Sequence, residues 1–203
     1  MMNKQQLIDF FKINKYFVIG TLILIIIITK KTKTSLLFGF LTYIITTYIG
    51  YYSHYLSHNK CFKKCIKNIK LPNFFKNIIL YHDSIHHNEN KKELKYDIYE
   101  FLNNLLTQGG LLFLIKLLSK YLNGWIIILY AFCYATIHII NFKFVKPKTH
   151  AIHHKNNHYN YGYELYDIIF NTKKGEIENT NHYLINFIIG TIILLIIHKL
   201  FFT

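Results

Sequence analysis

The sequence predicts an all-α integral membrane helical bundle: about four core transmembrane helices, an extra terminal helix, and a cytosolic cap that carries histidines. Three observations lead there. Hydrophobic residues make up 52% of the 203 positions and gather into long runs, and roughly 20 apolar residues suffice to cross a hydrocarbon core of about 30 Å. The net charge of +14 rests on lysine alone, because the sequence contains no arginine, and lysine collects where the apolar runs stop. Histidine, twelve in all, concentrates in the polar stretches between the runs.

Taken in order, the first helix is expected over about Ile13 to Thr29, with Lys12 and Lys15 at its entry and Lys30, Lys31 and Lys33 at its exit. No small-residue cleavage site follows this apolar stretch, so it reads as a retained helix and not a removed signal peptide. The second helix, Leu36 to about Tyr55, ends in an interfacial pair, Tyr51 and Tyr52, and by continuing past the bilayer delivers His54 and His58 to water. Residues 59–104 are polar and basic, and Pro72 divides them. Asn73 to His87 reads as a short interfacial helix with His82 and His86 on one face. The acidic residues Asp97 and Glu100 follow; either could brace a metal-bound imidazole, although pairing with solvated lysine is the expected role.

A third helix is expected over about Leu105 to Leu118 and a fourth over Tyr121 to Ile140, joined by a short link into an antiparallel hairpin. The fourth brings His138 to the membrane surface, where a histidine is a functional candidate. A second polar cap covers 141–181, and a last apolar segment, Tyr183 to Phe202, either spans or lies on the membrane. The chain therefore divides into an N-terminal helix and linker (1–35), a histidine-bearing unit (36–182) and a C-terminal helix (183–203). Lysine weighs most heavily in the two histidine-bearing caps, which makes that side cytosolic under the positive-inside rule, with Lys30, Lys31 and Lys33 opposite.

Composition also excludes. Without arginine the chain lacks the usual fork for reading guanine and phosphate, so no nucleic-acid partner is expected, and the lysines read as a collar facing anionic headgroups. A bias toward Ile, Asn, Lys, Tyr and Phe offers a competing account of their number. Cys61, Cys65 and Cys133 are odd in number and form no disulfide framework.

The histidines carry the chemistry. His54 and His58 form H-x-x-x-H, His82, His86 and His87 form H-x-x-x-H-H, and His150, His153 and His154 form H-x-x-H-H. Histidines four apart on a helix share a face about 6 Å apart, so both imidazoles reach one ion, and such a donor set suits iron, zinc or copper better than magnesium or calcium. Together with His138 these nine are the expected metal ligands. His158 stands evenly between ligand and bystander, while His182 and His198 have no partner at helical spacing. Tyr51, Tyr52, Tyr161 and Tyr163 are candidates for a substrate path, with core or belt packing the more frequent role of such residues.

These boxes, followed by Asn160-Tyr161-Gly162, Leu165-Tyr166-Asp167 and Phe170-Asn171-Thr172, resemble the fatty acid hydroxylase and sterol desaturase superfamily over about residues 36 to 175. The sequence differs from that pattern at Tyr55, where a basic residue is usual, in the three residues between His82 and His86, and at Asn171, where glycine is usual. The resemblance implies four core membrane helices, two histidine-bound iron ions replaceable by zinc on purification, and a dioxygen-dependent hydroxylation or desaturation of a fatty acyl or sterol lipid drawn from the bilayer. It also implies an endoplasmic-reticulum-like membrane and an external electron donor such as cytochrome b5 with its reductase. A second resemblance, carried by His86-His87 with Asp97 and Glu100 and by His154 with His158 and Tyr161, is to the plasmanylethanolamine desaturase family; Asn157 stands in place of that signature's proline. Two other classes compete. A histidine-rich metal-binding or transport protein predicts ligands along a path inside the helices, and a non-catalytic protein of the same fold predicts a broken box.

Overall fold

The computed structural model describes residues 3–81, 94–110 and 121–202, and all regular structure among them is helical. The N-terminal region forms two helices, α1 (Lys4–Ile13) and α2 (Lys15–Lys31), set 71° apart at Asn14. This corrects the single helix expected from Ile13. The reason is a distant loop: buried Asn14 donates from Nδ2 to the Glu178 carbonyl (3.0 Å), and its Oδ1 accepts from the Thr180 N–H (2.6 Å) and hydroxyl (2.9 Å). Asn181 completes the staple, accepting from the Phe17 N–H (2.9 Å) and donating to the Ile13 carbonyl (2.7 Å). A break in a helix leaves backbone groups that need partners, and here side chains more than 160 positions away supply them.

Helix α3 (Leu36–His58) runs past Tyr55, so that both His54 and His58 ride on the helix itself. Its Thr42, Thr46 and Thr47 hydroxyls are satisfied by carbonyls one turn back, which lets polar side chains lie buried among helices. Two short basic helices follow, α4 (Lys60–Asn68) and, after Pro72, α5 (Asn73–Tyr81). The second half of the expected 73–87 helix lies outside the described residues. Helix α6 (Leu94–Leu105) passes into a π-helical segment, Leu106–Gly110. It starts well before the expected Leu105, because its buried face includes Asn103 and Asn104, and that of the π segment Gln108, which no apolar pattern reveals. The rest of the expected third helix lies outside the described residues.

Asn123 caps α7 (Gly124–Thr136), its Oδ1 accepting from the N–H groups of Trp125 (3.0 Å) and Ile126 (3.4 Å). The helix continues as a π-helical segment, Ile137–Asn141, and a short turn, α8 (Phe142–Val145). Then come α9 (Lys148–Lys155), α10 (Glu164–Ile169), a 3₁₀ turn at Asn181–Tyr183, and α11 (Leu184–Phe202). Among the described residues three helical segments are long and apolar enough to cross a membrane, Leu36–His58, Gly124–Asn141 and Asn181–Phe202, and the bent α1–α2 pair makes up to four.

Helix α7 is the hub. Its Ile126, Leu129, Tyr130 and Cys133 share a core with Phe17, Ile25 and Ile28 of α2 and with Phe187 and Leu194 of α11. Glycines let neighbours close on it: a Cβ on Gly109 would collide with the Ala131 side chain, and one on Gly190 would stand 2.9 Å from Leu129 Cδ1. In lipid, where burial of apolar surface supplies little drive between helices, such close backbone approach is a main source of attraction. Helix α11 lies antiparallel along α7. Near its start Asn186 Nδ2 donates to Thr136 and Asn141, and near its end His198 and Phe202 pack on Trp125. The last apolar segment is thus a member of the bundle. At the Trp125 end Asn123 also donates to the hydroxyls of Thr32 (3.2 Å) and Thr34 (2.7 Å), placing the Lys30–Lys33 turn opposite the end that carries His138.

Candidate metal centre

Helix periodicity brings His54 and His58 to one face of α3, with ring centroids 5.3 Å apart. Helix α9 sets His153 between them: its Nε2 is 3.1 Å from Nε2 of His54 and 3.1 Å from Nε2 of His58. Ligand atoms of the three lie within 4.8 Å of one another. The Nδ1–H of His153 donates to the Tyr159 carbonyl (2.7 Å), which fixes the tautomer and leaves Nε2 as a lone-pair donor. Two nitrogens at about 2.0–2.1 Å from one ion and roughly 90–109° apart stand about 2.9–3.4 Å from each other, so the observed spacing fits coordination to a shared ion. His153 is fully buried and His54 nearly so, which keeps competing water from the site.

A second group adjoins the first. His150 and His154, one turn apart on α9, bring their Nε2 atoms to 3.0 Å, and the ring of buried His138 stands 5.1 Å from that of His150. His138 Nδ1–H donates to Glu100 Oε1 at 2.5 Å, leaving Nε2 for a ligand. Glu100 therefore braces an imidazole, the less expected of the two roles that its position allowed. Helix α9 lies between the groups and turns His153 toward one and His150 and His154 toward the other, with ring centroids 6.4 and 6.1 Å from His153 linking them. Six expected ligands, His54, His58, His138, His150, His153 and His154, thus converge at one end of the bundle. His82, His86 and His87 lie outside the described residues.

The segment after α9 holds this arrangement. Asn160 adopts a left-handed φ of 56°, and its side chain donates to the carbonyls of Thr149 and Lys174 while accepting from the Lys174 N–H. Tyr161 is buried against the rings of His54, His58 and His153. Gly162 has φ 140°, a conformation that glycine alone adopts without strain. Asp167 accepts from the N–H groups of Tyr161 (2.9 Å) and Gly162 (3.3 Å) and from the Thr172 hydroxyl (2.7 Å), and Thr172 shares a further hydrogen bond with Tyr51 of α3. Burial pushes the Asp167 carboxyl up to about 6, against the downward pull of these hydrogen bonds. Asn171, where glycine is usual, has φ 59°, the left-handed region that asparagine tolerates best after glycine, so the exchange preserves the turn.

A cavity of about 110 Å³ opens beside both groups. His54, His138 and His150 line one part, and Phe10, Phe17 and Phe187 from the bent pair and α11 line another. Of the four candidate tyrosines, Tyr163 lines it. Tyr51 and Tyr161 are buried in packing, and Tyr52 is exposed and stacked on Tyr55. His158 is exposed and does not join the convergent three; His182 packs on Tyr183 and His198 on Trp125. The bracing atoms, Glu100 Oε1 and the Tyr159 carbonyl, are the part of the site that spacing does not encode.

The fold and this end of it define a helical membrane protein with buried histidines able to hold a metal ion. The chain belongs to the fatty acid hydroxylase family, whose model matches residues 39–172. The family is one of oxidoreductases of the lipid hydroxylase or desaturase type. Comparison with curated proteins and with solved structures found no match.

Proposed function

We propose that this protein is a membrane-bound, dioxygen-dependent lipid oxidoreductase whose histidines hold two iron ions and which hydroxylates or desaturates a fatty acyl or sterol substrate. The observation that carries the reading is the gathering of two histidine groups about α9, with His153 Nε2 3.1 Å from those of His54 and His58 in one and the Nε2 atoms of His150 and His154 3.0 Å apart in the other. His54, His58 and His153 would hold one ion and His138, His150 and His154 the other, with His82, His86 and His87 as the remaining expected ligands. Bound iron would supply the dioxygen-derived oxidant that an unactivated C–H bond requires and that side chains lack. The protein's share is placement. Tyr159 and Glu100 fix two imidazole tautomers, Tyr161 walls off one group, and the aromatic cavity beside His54, His138 and His150 gives an apolar chain a dry approach from the bilayer.

Electrons come from outside in this reading, from a donor such as cytochrome b5 and its reductase, and the histidine end faces the cytosol of an endoplasmic-reticulum-like membrane. A metal-transport function would favour ligands strung along the helices; six of the nine described histidines gather at one end instead. The test is metal analysis and lipid product formation with purified protein in bilayers. Iron at two per chain with product that needs dioxygen supports the proposal, and turnover indifferent to chelation and to anaerobic conditions overturns it.

A further inference from the structure

The wall of the cavity holds a charged pair that the metal centre does not use. Lys173 follows the Asp167–Thr172 turn, and its side chain is 1% exposed; Glu164, at the start of α10, is 10% exposed. Lys173 Nζ pairs with Glu164 Oε1 at 2.8 Å, and that oxygen also accepts from the Glu178 N–H (3.2 Å), while Glu164 Oε2 has no hydrogen-bond partner. Both residues line the same cavity as His54, His138 and His150. A buried ammonium with N–H groups left over and a buried carboxylate with an idle oxygen are each costly unless something in the cavity satisfies them. Burial raises the Glu164 carboxyl above its ordinary value, against the opposing pull of Lys173 and of the Glu178 N–H.

The chemistry of the missing partner follows from this wall. A group that satisfies both accepts from Lys173 and donates to Glu164; water and a hydroxyl each do so, and of the two only a hydroxyl belongs to a lipid. It must also be uncharged. The cavity wall carries one lysine against three carboxylates, Glu164, Asp167 and Glu178, so a free carboxylate would meet net repulsion where the dielectric is low.

We propose that Lys173 and Glu164 form the polar-end subsite for the lipid, taking its hydroxyl group while its apolar body lies against Phe10, Phe17 and Phe187, and that the pair selects against a free acid. This rests on the reading of the chain as a lipid oxidoreductase and adds the residues that sort its substrates.

The test is equilibrium binding to the metal-free full chain in lipid nanodiscs, using a radiolabelled long-chain alcohol, its methyl ether and the acid of equal chain length. The alcohol should bind about ten- to a hundredfold more tightly than the ether or the acid, the worth of a hydrogen bond or two to charged groups. Glu164→Gln, which frees the lysine charge, should shrink the alcohol's lead over the ether and raise affinity for the acid at least about tenfold. Lys173→Met should weaken the alcohol and leave the ether nearly unchanged. If the pair is only a latch between α10 and the following loop, both variants lower the melting temperature and weaken all three lipids by one common factor; that result overturns the subsite, as does a wild type that prefers the acid. Because the protein is metal-free in this assay, the subsite can fail while iron-dependent turnover stands, and the converse.

Discussion

His153 is braced by a neutral backbone carbonyl six residues away, that of Tyr159, whereas His138 is braced by a carboxylate from another helix, that of Glu100 on α6. Both braces fix the tautomer that offers Nε2 inward. The carboxylate does more, since a negative partner raises the electron donation and metal affinity of the imidazole it holds, and removing such a partner typically costs about 10–100-fold. The α3 group thus depends on local loop geometry, and the α7 group on the docking of α6. Two groups of histidines are thus held by partners that differ in charge and in origin.

The comparison is tested most severely by His153→Ala. Its Nε2 is the shared neighbour of His54 and His58, so the substitution should abolish turnover and remove one of two bound irons, read by elemental analysis of the purified protein; full iron with full activity would break the assignment. Next is Glu100→Gln, which should weaken metal retention at the α7 group about 10–100-fold in a chelator titration while leaving the α3 group's ion in place. Equal loss from both groups would show that they act as one.

A smaller effect is expected of pH through Asp167, which holds Tyr161 and Gly162 against the α3 group. Its folded value is raised, to about 6, above the ordinary 3.8. The folded state therefore binds more protons than the unfolded chain between those values, and stability falls as pH rises through that window, by an amount on the order of 2–3 kcal/mol. Melting curves of detergent-solubilised protein across pH 4 to 7 should show that slope, and Asp167→Asn, which cannot titrate, should flatten it whatever its effect on the midpoint. Least disruptive of all is Asn171→Gly, expected to change stability by less than about 0.5 kcal/mol, whereas Asn171→Ala should cost about 1–2 kcal/mol for the left-handed backbone.

Much of the histidine centre was legible because helix periodicity is a local property. His54 with His58 and His150 with His154 stand one turn apart, and the structure brings each pair together. The turn motif was legible only through the family resemblance, and its physical basis, positive φ at Asn160, Gly162 and Asn171, came from the structure. What sequence could not convey depends on contacts between distant segments. The break at Asn14 is held by residues 178–181, and the partner of His138 comes from α6. Helix α6 itself escaped because its buried face includes Asn103 and Asn104, and periodicity read from apolar residues passes over such a face. Phe10, Phe17 and Phe187 stand outside the segment that the family matches, yet they line the cavity, so the chain's flanks shape what its common core encloses.

His138 lies in the π-helical stretch Ile137–Asn141, where each turn carries one residue more than an α-helix allows. Deleting a single residue there would restore α-helical winding, and since four α-helical residues sweep about the same angle as five π-helical ones, the chain beyond would keep its phase. Phe142, whose ring centroid stands 4.4 Å from that of His150, and α9 after it would hold their places, while His138, inside the bulge, would be turned away from Glu100 and His150. Along these five residues the tally of peptide units matters more than spelling: an apolar exchange at exposed Ile140 is tolerable, but a one-codon gap would re-aim one ligand and spare the rest.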